Sequence, residues 1–433
     1  MIPIEIVSEA LEGYCRYAPL AVLGYWLHQT GFLTPVWSAM HWWAKSRQHT
    51  PQANLETALV SILAGNRALY QINTTIRPDL ALAQAWGQAQ FAEQSTIADL
   101  LDNAGEAQVE QLQAGSAAWF QQHSRTLRHD FGSGWLLLDY DATALLISKH
   151  AQGSERGYFS GQRNAYGRQL VRIAAPTYHE TLASYLYPGR TQAFATLPAA
   201  MKALAQRLPL TPAQRGRTIL RSDAGVGTDR NINWLLATGY QVLSKGFNHS
   251  RAEAQARRVT ADGWMHESER QRWMALAPKP PRFARRTQMY VLRWPHQQGF
   301  RYGTLVVSIA GLTPLATWRL FDGRGAAEVE IRADKQGLNL PQRRKHRAAA
   351  QMLLILLTDV AHNLLSWWHA ATLSEGPCAD FGTLRIVQDL FTIPGRLDFK
   401  DGQLAKVALL GTHPYAASVA AALTKLLEQS TIP

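Results

Sequence analysis

The spacing of apolar positions changes character near residue 132. Upstream, residues 55–63 and 95–102 place apolar side chains at helical intervals, with Ser95 as the expected N-cap, and strand-like alternation is scarce. Residues 1–130 therefore read as an all-α domain. After Gly132-Ser-Gly134, short apolar runs bounded by turn residues take over. The pattern predicts strands at 135–143, 169–175 and 181–186, a helix at 197–208, a strand at 217–223, a helix at 231–238 and a strand at 240–244. Three strands, helix, strand, helix, strand is an α/β order.

From 246 to 314 the pattern turns β-like again at 289–294 and 304–309, around a Pro278-Lys-Pro-Pro281 cluster. A helical stretch from about 326 to 368 follows, broken near 337–341. Asp401-Gly402 marks a hairpin between 396–400 and 403–410. Five segments result: a helical N-terminal domain (1–130), an α/β core in two parts (131–245 and 316–375) around a β-rich insertion (246–315), and a C-terminal tail region (376–433). The most membrane-like run, 352–365, contains Asp359, His362 and Asn363 and falls short of the ~20 residues a span needs. A buried core helix is expected there, with no membrane as partner. The first residues, acidic and without a basic stretch before an apolar run, do not read as a targeting signal, so a cytoplasmic protein is expected.

Charge sharpens the picture. The 433 residues carry a net +12, but residues 1–130 hold 7 basic and 11 acidic side chains, which leaves a net of +16 on the remainder. Residues 246–314 alone hold 11 basic and 4 acidic side chains. A basic folded surface of this kind suits a polyanion such as nucleic acid. Two cysteines, Cys15 and Cys378, exclude a disulfide scaffold and any zinc module built on cysteines.

Acids at three places stand out by position. Alternation puts Leu137, Asp139 and Asp141 on one face of the first strand, where carboxylates are costly unless paired or bound to metal. Asp223 ends a strand, the place where α/β sheets put ligands. Arg324, Glu328 and Lys335 are four and then seven residues apart, within roughly 40° of one another around a helix, whereas Glu330 and Asp334 point elsewhere. Arg324 and Glu328 alone would pass for a surface ion pair. Together with the two strand acids, they describe carboxylates able to converge on hard divalent cations, with flanking cations for phosphates. Gly225-Val-Gly227 lacks the third glycine of a dinucleotide fingerprint, a phosphate-loop motif is missing, and His266-Glu267 lacks the second histidine of a zincin helix.

Leu138-Asp-Tyr-Asp-Ala-Thr143, Leu220-Arg-Ser-Asp-Ala-Gly225 and Phe321-Asp-Gly-Arg-Gly-Ala-Ala-Glu328 resemble the three catalytic blocks of DDE transposases of bacterial insertion sequences. Phe321, Arg324, Glu328 and Lys335 match the spacing of the branch with a Tyr-Arg-Glu-Lys signature, with Phe in place of Tyr. Residues 59–65 with 95–96, and His362-Asn-Leu-Leu365, extend the resemblance over most of the chain.

The resemblance implies a ribonuclease H-like mixed-sheet core with a β-rich insertion. Asp141 rather than Asp139 would be the first catalytic acid, with Asp223 and Glu328, together holding two Mg²⁺ (or Mn²⁺) ions. Arg324 and Lys335 would contact DNA near the cleaved end. It further implies metal-dependent cleavage of double-stranded DNA at terminal inverted repeats and transfer of the 3′ ends into target DNA, without a covalent protein–DNA intermediate. A homodimer on paired ends, associated with the bacterial nucleoid, is expected. A tryptophan of the insertion (Trp264, Trp273 or Trp294) is a candidate for stacking on a flipped base, with core packing as the plainer role of each. Arg343, Arg344 and Lys345, at the start of the next helix, and the Arg282–Arg286 run are expected phosphate contacts. A non-catalytic DNA-binding descendant and a ribonuclease H-like nuclease without strand transfer are the competing classes.

Overall fold

The computed structural model describes residues 11–42, 49–159, 162–267, 272–297, 299–324 and 333–429. Contacts divide the chain into two compact units: residues 1–119, 333–345 and 349–433 form the first, and 120–332 with 346–348 the second. The segment expected as the second part of the core, 316–375, is thus shared between the units.

Among the described residues unit one is mostly helical, and its first element is a two-residue strand, β1 (Tyr14–Cys15). The helix read from apolar spacing at 55–63 runs Pro51–Leu63, capped by the Thr50 hydroxyl accepting from the Ala53 N–H. Ser95 is not a cap. Its helix, Gln94–Asn103, starts one residue earlier, and Asn73 Oδ1 accepts from the Gln94 N–H there.

Unit two carries a sheet of ten strands among the described residues: β2 (Leu136–Leu146), β3 (Glu155–Phe159), β4 (Gln162–Ala175), β5 (Glu180–Pro188), β6 (Thr218–Ser222), β7 (Gln241–Lys245), β8 (Met265–Glu267), β9 (Arg272–Leu276), β10 (Gln288–His296) and β11 (Gly299–Val307). β5, β4 and β2 are an antiparallel meander, and β6 and β7 follow as parallel neighbours of β2, giving the order β5-β4-β2-β6-β7. That order is the ribonuclease H-like arrangement expected. The basic insertion is not a separate lobe: β11 pairs antiparallel with β7 (Leu305↔Lys245, Val307↔Leu243), so β11-β10-β9-β8 prolong the same sheet. β3 and the helix His249–Ala256 escaped the apolar pattern because both are polar. The helix is started by the Asn248 side chain, which accepts from the Arg251 N–H.

Each face of the sheet has its own cover. On one, Tyr140 reaches Thr196 of the helix Ala193–Arg207, hydroxyl to hydroxyl at 2.6 Å. On the other, the helix Pro314–Asp322 presses Trp318 and Phe321 onto Ile219, Leu243, Tyr290, Leu292 and Leu305.

From residue 349 on, the helix Ala348–Thr372 belongs to unit one, and its middle is buried through Trp367 and Trp368. This is the core helix expected from 352–365. The hairpin β12 (Gly395–Lys400) and β13 (Gln403–Leu409) pairs with β1, and Asp401 and Gly402 both take positive φ, as the Asp-Gly turn requires.

Candidate active site

Strands β2, β6 and β7 lie side by side, and their residues facing the helix Pro314–Asp322 form three layers. In the first, Leu137 stands opposite Ile219, which stands opposite Gln241. In the second, Asp139 stands opposite Arg221, which stands opposite Leu243. The third holds Asp141, Asp223 and Lys245, each one step past the last paired residues Tyr140↔Ser222↔Ser244 of the β2–β6–β7 seam or at its end.

The second layer disposes of one candidate. Arg221 Nε and Nη2 donate to the two oxygens of Asp139 at 2.6 Å each, with both side chains buried. Arg221 Nη1 also donates to the Leu320 carbonyl at 2.7 Å. This bidentate pair meets the condition under which a carboxylate tolerates burial and occupies both its oxygens.

The third layer opens outward. Strand β6 ends at Ser222 while β2 continues against β4, so the seam parts at Asp141 and Asp223, and both side chains are half-buried. Asp141 and Asp223 follow directly on the paired residues Tyr140 and Ser222 of these adjacent strands, on the same face of the sheet. The turn after Asp223 is closed by the N–H groups of Val226 and Gly227 donating to the Asp223 carbonyl. Gly227 is required there, because a Cβ would sit 1.7 Å from the Lys245 carbonyl oxygen. The glycine pair is therefore a tight turn under the acid.

Three cations are placed with this layer by contact or by register. Arg324, in the turn after the helix Pro314–Asp322, brings Nη1 to 3.5 Å from Asp141 Oδ1. Lys245 and Arg324 both lie over the ring of Phe321, at 5.2 and 5.8 Å from its centroid. Phe321 needs no hydroxyl for this, since the ring face attracts the cations. Arg172 of β4 is paired with Asp141 in register and buried, its Nε 3.3 Å from the Ser184 hydroxyl. Sequence reading missed Lys245 and Arg172. The signal for Lys245 was its place at the end of a strand parallel to the one carrying Asp223.

Other expected site residues fare differently. Glu328 lies in 325–332, outside the described residues, as does the helix face it was to share with Arg324. Among the described residues no cluster of three or more possible ligands from His, Cys, Asp and Glu occurs. Lys335 is half-buried in unit one, and its neighbour Asp334 is buried against His362, Oδ1 to Nδ1 at 2.8 Å. Arg343 is an interior residue, contrary to expectation: its guanidinium donates to the Asn66 carbonyl at 2.7 Å and to the Leu338 carbonyl, and burial pulls its pKa down to about 9. Lys345 is engaged with Asp102 at 2.8 Å, its side chain 11% exposed, and Arg344 alone of the three is exposed. All three precede the helix Ala348–Thr372 rather than start it. Trp264 and Trp273 clasp the guanidinium of Arg293, at 4.2 and 5.1 Å, and Trp294 packs against the core.

A family model described as transposase DDE domain, group 1, matches residues 21–431. No curated protein matches the chain. Among solved structures, a piggyBac transposase synaptic complex with hairpin DNA aligns with a TM-score of 0.49 and 10% identity, covering 98% of this chain and 85% of that one.

Proposed function

The chain belongs to the DDE transposases of group 1 and is an enzyme of DNA transposition, and on that premise we propose that Asp141, Asp223 and Glu328 are its catalytic acids. The observation that carries the reading is the opening of the β2–β6 seam at Asp141 and Asp223. A protein that only bound DNA would have no use for two aligned acids at that mouth, where each repels the phosphates it approaches.

DDE transposases work with divalent metal ions. The donors here are carboxylate oxygens, which fit Mg²⁺ or Mn²⁺ and not a soft metal. Asp141, Asp223 and Glu328 would hold two such ions. Bound there, they would activate the attacking oxygen and stabilise the departing one.

The chain's own residues supply the rest. Arg324, buried beside Asp141, balances the carboxylate charge, and Lys245, over the same Phe321 ring, offers a donor to a phosphate next to the scissile bond. Lys335 and Arg344, both in unit one, are offered as further phosphate contacts in their own right. Arg221, by holding Asp139, keeps β2 and β6 in the register that aligns the two acids. The substrate is the element's terminal inverted repeats, cut and joined through their 3′ ends to target DNA by a dimer that pairs two ends. The bacterial cytoplasm, at the nucleoid, is where that substrate lies.

Cleavage of a labelled end duplex in Mg²⁺ or Mn²⁺ tests the reading. Glu328→Gln should lower strand cutting on the order of 10³-fold, with duplex affinity kept within a few-fold. Wild-type cutting by that variant would remove Glu328 from the mechanism.

A further inference from the structure

The end of the sheet remote from the acids is as basic as the acid end is mixed. Strands β2, β6 and β7 run parallel, so Trp135, Arg217 and Tyr240, which precede them, lie at the opposite end from Asp141, Asp223 and Lys245. Five residues of strand at ~3.3 Å each separate the two ends by about 17 Å. β10 runs in the same sense as β7, so the loop 277–287 that leads into it reaches this far end too.

That loop is stapled down. The Ala284 N–H donates to Asn233 Oδ1 at 2.7 Å, Gln255 brackets the Lys279 backbone, and Arg285 donates to the Tyr240 carbonyl. Arg215 lies against Gly239, which leaves room for it (a Cβ there would sit 3.6 Å from the arginine's own), and Arg217 covers the exposed ring of Trp135 at 5.4 Å. Segments 132–135, 208–217, 238–241 and 277–287 carry Arg215, Arg217, Lys279, Arg282, Arg285 and Arg286, and no Asp or Glu. The acid just outside them, Asp130, is occupied by the Gly132 N–H at 2.8 Å. Ordinary protein surface intersperses both signs; six cations without a counter-charge form a single-sign field.

We propose that this end of the sheet is a second, sequence-independent docking surface for double-stranded DNA, engaging a stretch of duplex other than the one at the carboxylates. The choice of duplex DNA rests on the reading of the chain as a DNA transposase. The predominance of arginine supports it, since the planar guanidinium fork matches phosphate oxygens in pairs. So does the anchoring of Arg215 and Arg285, which presents their charge at small cost in side-chain entropy. A rigid duplex lying across the acid end would have to turn around the edge of the sheet to reach these arginines, so the two surfaces take different segments.

The experiment uses the full chain and the double variant Arg282→Glu/Arg286→Glu, both side chains exposed and remote from the acids. Binding of a long duplex extending well beyond an end, measured over a salt series, should weaken at least tenfold, and the slope of log affinity against log salt should fall by about two, one per lost phosphate contact. Metal-dependent nicking of a short end duplex should keep its wild-type rate. An unchanged slope with the long duplex overturns the proposal and leaves the patch to an acidic protein or to solvent. A reduced slope in a chain with no metal-dependent nicking would uphold the surface and count against the catalytic reading instead.

Discussion

Asp139 and Arg221 hold each other across two parallel strands, two N–H donors to two carboxylate oxygens at 2.6 Å, one layer beneath Asp141 and Asp223. Two aspartates two residues apart thus have opposite jobs. Breaking a buried pair by neutralising one partner costs about 3–5 kcal/mol. Asp139→Asn should therefore lower the denaturation midpoint sharply. Asp141→Asn, which loses only the longer 3.5 Å pairing with Arg324, should lower the midpoint less than Asp139→Asn does and abolish metal-dependent cleavage. A stable Asp139→Asn protein with no cleavage, beside an active Asp141→Asn, would reverse the two roles.

Arg343 should behave as a residue of the interior. Arg343→Met strips donors from the Asn66 and Leu338 carbonyls, at about 1–3 kcal/mol for each buried group left without a partner. Thermal unfolding should shift down by several degrees while the salt dependence of DNA binding stays as in wild type. Weakened binding at an unaltered melting temperature would restore Arg343 to the DNA surface.

Glu56 makes the stability of unit one sensitive to pH. Burial raises its pKa from 4.5 to about 7, partly offset by the hydrogen bond from Gln88 at 2.9 Å. Below pH 4.5 the folded and unfolded chains both hold the proton and there is no penalty. Between 4.5 and 7 the folded chain holds it more tightly, so stability falls as pH rises, and above 7 the loss is complete. The shift corresponds to at most about 3 kcal/mol, less for the exposed part of the group. Glu56→Gln keeps an acceptor for Gln88, so urea midpoints at pH 8 should rise and the slope between pH 5 and 7 should flatten. An identical pH profile in the variant would show that Glu56 is ionised throughout.

Gly227→Ala should damage the site without touching a functional group. The added methyl meets the Lys245 carbonyl oxygen, so either the turn under Asp223 or the end of β7 must move. Loss of both cleavage and several degrees of thermal stability is expected. An active, fully stable alanine variant would mean that the turn has slack.

Much of the sheet was legible because its strands are buried on both faces and read as short apolar runs between turns; β6 and β7 fell within a residue of where those runs stop. Local rules failed where the chain is polar but packed, as at β3 and the helix His249–Ala256. The helix Pro314–Asp322 lies wholly before the helical stretch expected from about 326, since its Thr313 cap and Pro314 fall inside a segment whose composition favoured strand. Arg343-Arg-Lys345 read as one basic run because sequence records charge and not which side chains fold inward.

The sequence by itself determined the kinds of groups and their order: an acid in the first strand, an acid ending a later one, a Phe-Arg-Glu-Lys spacing, and an excess of positive charge beyond residue 130. Those are properties of neighbours along the chain. Only the tertiary structure decided that Arg221 consumes Asp139, that Lys245 stands in line with Asp223, and that Arg215, Arg217 and Arg285 gather at the far end of the sheet. Each of these depends on strand register, which joins residues up to 82 positions apart, and register is set by how the buried faces pack and not by any local spacing.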